Sequence, residues 1–261
     1  MNDEFYIGWE AKAAPRIGRF MRVVVAWMIL ATTGLALVFA AMQHTIGVSV
    51  FEWGNVKKFS GVLKLQPYPH LLVARPGQTD GQPGYSTYYL VAPFKFGLDR
   101  AKLAAFDGKA VSLQGTLIYR GNQTMVEALP DSIKATATST AAITGGKVIQ
   151  LGRQTLVGEI VDSKCYLGVM NPGQLIPHRA CAIRCISGGI PPVLLVRQQD
   201  GPVIYLLLVS ADGKPVNQQV LDMVAEPVEI TGEVERQDEL LILRADPSTY
   251  RRVGDSAGAN R

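Results

Sequence analysis

Residues 88–115, YYLVAPFKFGLDRAKLAAFDGKAVSLQG, and residues 205–232, YLLLVSADGKPVNQQVLDMVAEPVEITG, are two versions of one pattern. Tyr88-Tyr89-Leu90-Val91 corresponds to Tyr205-Leu206-Leu207-Leu208, and Val111-Ser-Leu-Gln-Gly115 corresponds to Val228-Glu-Ile-Thr-Gly232; both pairs are offset by 117 residues. Gly61-Val62-Leu63 corresponds to Gly158-Glu159-Ile160, but with an offset of only 97. About 20 residues are therefore inserted in the second unit, between its first strand and its tyrosine strand. Short alternating runs recur through the first unit, FSGVLKL, YSTYYLVAP, KAVSLQGTLIYR and TMVEAL, divided by turn-rich segments at 67–70, 75–84 and 120–122. Residues 101–106 read as a short helix. Some five short strands per unit suit a small closed barrel, which leaves no exposed sheet edge. The expected fold is mainly β: an N-terminal transmembrane helix, then two tandem OB-like barrels over 55–129 and 151–246. A linker over 130–150 joins them, and a flexible polar tail follows over 247–261. Chance likeness between strand patterns is the competing explanation of the repeat.

The insertion holds the chemistry. Residues 155–192, TLVGEIVDSKCYLGVMNPGQLIPHRACAIRCISGGIPP, contain all three cysteines, Cys165, Cys181 and Cys185, together with His178. Pro177 can start a helix, and Gly188-Gly189 with Pro191-Pro192 can stop one. A helix over 178–187 places His178, Cys181 and Cys185 at i, i+3 and i+7, on one face. Cys165 approaches from the end of the preceding strand.

Three readings fit this cluster. Three thiolates and an imidazole close a tetrahedron around zinc or copper, ahead of iron. Alternatively, one disulfide leaves one thiol over. Cys181 and Cys185 on one helix would have Cβ atoms about 5–6 Å apart, and a disulfide wants about 3.5–4.5 Å, so the bridge would join Cys165 to Cys181 or Cys185. The third reading is buried cysteines acting as small apolar residues beside a surface histidine. Asp162, three residues before Cys165, could orient a metal-bound His178 from behind, or simply end its strand. His70, between turn residues, reads as a surface histidine. Neither C-x-x-C nor C-x-x-C-H occurs, which argues against thioredoxin-type chemistry and covalent haem.

The pattern of Gly158-Glu-Ile-Val-Asp-Ser-Lys-Cys165, then His178-x-x-Cys181-x-x-x-Cys185-x-x-Gly188-Gly189, then a tyrosine strand and Val228-x-Ile-x-Gly232, resembles a family of exported or membrane-anchored bacterial domains. That family carries V-D-x-x-C … H-x-x-C-x-x-x-C-x-x-G-G on an OB-like barrel. The likeness covers about residues 155–245. It implies a fold and a shared site, and no particular reaction.

Composition narrows the partners. The net charge is +4, with four basic residues (Lys12, Arg16, Arg19, Arg22) against three acidic ones in the first 22 positions. The remaining charge is spread over the chain without a basic run, so nothing marks a nucleic-acid binder.

Residues 23–42, VVVAWMILATTGLALVFAAM, carry no charge and are long enough to span a bilayer. The span is expected over 23–43, after a cytoplasmic stub at 1–22. A cleaved signal peptide, with Val38-Phe39-Ala40 as its cleavage site, and a buried core helix are the alternatives. Four basic residues precede the helix and only Lys57 and Lys58 follow closely, so the expectation is a bacterial inner-membrane anchor with periplasmic barrels. Phe5, Tyr6, Ile7 and Trp9 suit the headgroup level or another membrane subunit.

No phosphate-binding loop, zinc-protease H-E-x-x-H or G-x-S-x-G nucleophile motif occurs, and no carboxylate pair stands out. The expectation is a non-enzymatic protein that presents its Cys/His site to a protein partner in the inner membrane or periplasm. The rival is a thiol redox or electron-transfer protein using Cys181 or Cys185, with Arg179 and Arg184 as nearby cations.

Overall fold

Alternating apolar positions followed by turn residues build two barrels in sequence, preceded by one long helix. In the computed structural model, residues 14–43, 49–75, 84–136, 148–198, 201–237 and 239–254 are described. The aromatic residues before position 14, most of the linker, part of the 75–84 turn and the end of the tail lie outside them.

Helix α1 spans Pro15–Gln43. It begins upstream of the uncharged run because Pro15 is suited to the first helical turn and nothing in 16–22 breaks a helix. It is long and apolar enough to cross a membrane, a test that a signal sequence also passes.

In the first barrel, β1 (Ser49–Phe51) precedes β2 (Lys57–Lys64), β3 (His70–Ala74) and β4 (Tyr85–Val91). Helix α2 (Arg100–Leu103), capped by Asp99, leads to β5 (Ala110–Arg120), β6 (Gln123–Ala128) and β7 (Lys134–Ala135). Strands β5, β2, β3, β4 and β6 pair in that order, and β6 closes back on β5. Only the β4–β6 pair in this closed barrel is parallel. Strands β1 and β7 lie along β5.

The second barrel repeats this circuit. Strand β8 (Val148–Asp162) is followed by α3 (Arg179–Ser187), β9 (Pro192–Val196), β10 (Ile204–Val209), β11 (Pro227–Gln237), β12 (Leu240–Arg244) and β13 (Arg251–Arg252). Strands β11, β8, β9, β10 and β12 pair in order, β12 returns to β11, and β10–β12 is the parallel pair. The repeated glycines occupy matching places. Gly61 pairs with Val111 and Gly158 with Val228. A Cβ at Gly61 would lie 2.3 Å from the Leu72 carbonyl oxygen, and one at Gly158 would lie 2.5 Å from that of Leu195. Each strand is pressed against its neighbour too closely for a side chain.

The inserted residues lie between β8 and β9, where the first barrel has only the short turn between β2 and β3. Each barrel has its own core, with Leu63, Leu71, Leu90 and Leu113 in the first and Ile160, Leu194, Leu206 and Ile230 in the second. A third apolar cluster joins the barrels. It combines Tyr68, Tyr89, Val91, Ile118 and Met125 with Val193, Leu195, Tyr205 and Leu207. Successive residues of β9 and β10 therefore serve different cores, Leu194 and Leu206 inside the barrel, Leu195 and Tyr205 between barrels. Burial on both faces is why PVLLV and IYLLLV are continuous apolar runs without alternation.

Three expectations need correction. His70 is buried, not a surface residue: it opens β3, its Nδ1 lies 2.8 Å from the Tyr68 carbonyl oxygen, and its ring packs on Tyr89. The polar tail is structured through residue 254, with Tyr250 buried and β13 paired to β11. The expected linker is structured at both ends, since Ile133 enters the first core and β8 begins at Val148.

Candidate functional site

Asp162 ends β8, is fully buried and holds two neighbours. Its Oδ1 accepts the Cys165 backbone N–H at 2.8 Å, which fixes the turn after the strand. Its Oδ2 lies 2.8 Å from His178 Nε2. One carboxylate therefore ends the strand and holds the His178 ring. As Asp162 has oxygens to accept with, the imidazole donates through Nε2–H, and Nδ1 carries the lone pair. That Nδ1 is buried and has no hydrogen-bond partner.

The loop before His178 is pinned to the barrel. The Glu159 carboxylate accepts the Leu175 backbone N–H and also pairs with Arg197 Nη2 at 2.7 Å, and the same Arg197 nitrogen donates to Gln174 Oε1 at 2.8 Å. His178 closes a turn over Ile176–His178, and α3 continues directly from it. This is the helix that the spacing predicts, and it brings Cys181 into one group with His178 while Cys185 lies beside Cys165.

Cys165, His178 and Cys181 each offer a ligand atom, all within 4.8 Å of one another. A second group, Asp162, Cys165 and Cys185, meets the same limit. Cys165 belongs to both. Cys165 Sγ and Cys185 Sγ lie 4.0 Å apart, and none of the three cysteines is in a disulfide. Two thiolates on one tetrahedral metal, each about 2.3 Å from it, would be separated by about 3.8 Å, so the observed spacing needs little adjustment. Cys165 and Cys185 are buried, and Cys181 is half-buried. The contact between the two thiols raises the pKa of Cys165, and burial adds to that rise; the same contact lowers the pKa of Cys185, against the effect of burial.

Two lysines complete the site, and sequence spacing points to neither. Lys95, in the first-barrel loop between β4 and α2, places Nζ 2.7 Å from Cys181 Sγ. That hydrogen bond raises the lysine's pKa, so it stays an ammonium. The cation at Cys181 is therefore Lys95, whereas Arg179 pairs with Glu226 and Arg184 packs over the Phe96 ring. Lys164, next to Cys165, is 1% exposed. It reaches into the first barrel, donating to the Ala92 carbonyl at 3.0 Å and the Phe94 carbonyl at 2.6 Å and pairing with Glu127. An ammonium has three N–H donors, and all three are used. The only sequence signal for this lysine was its position inside the cysteine-bearing pattern.

Gly188 and Gly189 do more than end α3. The Gly97 N–H donates to the Gly188 carbonyl at 2.9 Å, and a Cβ on Gly188 would lie 2.0 Å from the Lys95 carbonyl oxygen. The glycine pair is the seat on which the first-barrel loop lies.

No protein-family model matches this chain, and no curated protein matches it. The geometry itself allows metal coordination by a Cys/His set, with Asp162 behind the histidine and a lysine against one sulfur.

Proposed function

We propose that this chain is a membrane-anchored, exported protein that holds a single metal ion through Cys165, His178, Cys181 and Cys185 and presents it to a protein partner. The observation that carries the reading is the buried, unpartnered Nδ1 of His178, whose ring is locked through Nε2 by Asp162 and has a ligand nitrogen within 4.8 Å of the sulfurs of Cys165 and Cys181. A lone pair removed from water without a partner is costly, and a metal would satisfy it. Thiolate and imidazole ligands favour zinc or copper. A closed four-ligand site has no open position for substrate, which supports a non-enzymatic role. The apolar helix and the basic residues before it support an inner-membrane anchor with both barrels in the periplasm. Nothing in the charge pattern favours nucleic acid.

The test is metal analysis of the full chain purified in detergent, without added chelator. About one zinc or copper per chain, lost in Cys165→Ser and His178→Ala, is the expected result. Three titratable thiols with no metal in the native protein would overturn it.

The Lys95–Cys181 contact favours a second reading, in which Cys181 is a thiolate for redox exchange with Cys165 or Cys185. On that reading oxidant would convert two of the three thiols to a disulfide, reversibly, and metal would be absent.

A further inference from the structure

We infer that the first barrel completes the metal site by supplying Lys95 as a positioning cation for Cys181, so that full-strength binding requires both barrels docked. This rests on the metal reading above.

Three independent features place Lys95. Lys164 holds the carbonyls of Ala92 and Phe94, on the two sides of the residue pair that leads into Lys95. Phe94 adopts φ +62°, a conformation uncommon for a bulky side chain, and it is 80% exposed. Burial does not explain that backbone, whereas the need to turn Lys95 toward Cys181 does. Beyond the lysine, the Gly97–Gly188 hydrogen bond fixes the other end of the loop, and the absence of a side chain at Gly188 lets the Lys95 carbonyl lie against α3.

The chemistry calls for a cation at this point. Three thiolates and a neutral imidazole around a divalent ion leave a net charge of −1, and the buried Asp162 carboxylate behind the imidazole adds another. Charge held out of water needs a partner, and Lys95 offsets one of the two. An ammonium has no lone pair, so Lys95 cannot be a ligand. It acts through Cys181, donating to the sulfur that the metal would bind. Cys181 is the one half-buried cysteine of the three and so the most easily detached. The position of the cation against this sulfur is what keeps the outermost ligand in place.

Cobalt(II), added alone to the metal-free full chain in detergent, tests this by its thiolate charge-transfer absorption and by competition with a chelator. Lys95→Met should weaken cobalt binding about 10–100-fold, the usual effect of losing a group behind a metal ligand. It should also reduce the thiolate absorption per bound ion while leaving the melting of the metal-free protein unchanged. Lys95→Arg, which keeps the charge, should recover part of both. Cobalt bound by Lys95→Met with wild-type affinity and spectrum would overturn this inference and leave the metal site standing. A wild-type chain that binds no cobalt would overturn the metal reading and this inference with it.

Discussion

His178 Nε2 and Asp162 Oδ2 lie 2.8 Å apart in a region closed to water, and this single contact sets which imidazole nitrogen keeps its lone pair. The carboxylate accepts, so Nε2 carries the proton and Nδ1 the lone pair.

Asp162→Asn tests the tautomer. Its oxygen can still accept from Cys165, but its NH2 would meet Nε2 and force the proton to Nδ1, away from coordination. Metal affinity should fall about 10–100-fold with little change in the melting of the metal-free protein. Asp162→Ala should in addition destabilise the protein, by about 1–3 kcal/mol for each buried group left without a partner. Chelator competition and urea denaturation separate the two effects.

Gly188 and Lys95 provide a steric test. Since a Cβ at Gly188 would overlap the Lys95 carbonyl oxygen at 2.0 Å, Gly188→Ala should cost about 1–3 kcal/mol, as overpacking does. It should also lift the 92–98 loop off α3. Limited proteolysis within that loop, faster in the variant than in the wild type, is the expected readout.

The Lys164–Glu127 pair couples the barrels. Lys164→Met strands a carboxylate and two carbonyls and should destabilise by about 3–5 kcal/mol. Adding Glu127→Leu removes the stranded charge and should recover much of that loss. Equal urea midpoints for the single and double variants would show that the ion pair does not couple them.

His70 gives a pH test. Burial holds its pKa below the usual 6.5, because the charged ring would lose its hydration. The unfolded chain therefore takes up this proton first as pH falls. The contribution to stability is complete above about 6.5 and is lost as pH falls from there toward the depressed native value, by up to about 1.4 kcal/mol per pH unit. In His70→Gln, which cannot titrate but can still donate to the Tyr68 carbonyl, this part of the slope should disappear from urea denaturation measured between pH 7 and 5.

The proposed anchor and topology predict that the full-length chain stays with the membrane after a carbonate wash and that its barrels are cut by protease added from the periplasmic side. A soluble mature chain starting near Ala41 would instead identify the helix as a cleaved signal.

The sequence by itself determined the local elements: the two strand circuits, the apolar helix, and a short helix carrying His178, Cys181 and Cys185 on one side. These follow from periodicity and from breakers such as Gly188 and Pro191, interactions between residues a few positions apart. The matched glycines were visible too, because a strand pressed against its neighbour excludes a side chain in both barrels alike. Only the tertiary structure decided the rest. Lys95 reaches Cys181 across 86 positions, and Lys164 reaches Ala92 and Phe94 from the other barrel, so no local pattern contains either contact. His70 read as exposed because turn residues flank it, and only the packing of Tyr89 against it shows otherwise. The same holds for the tail, where Tyr250 is buried by the fold and not by its polar neighbours. Docking the barrels buries a second face of β9 and β10, and the same docking brings the first barrel's lysine to the second barrel's sulfur.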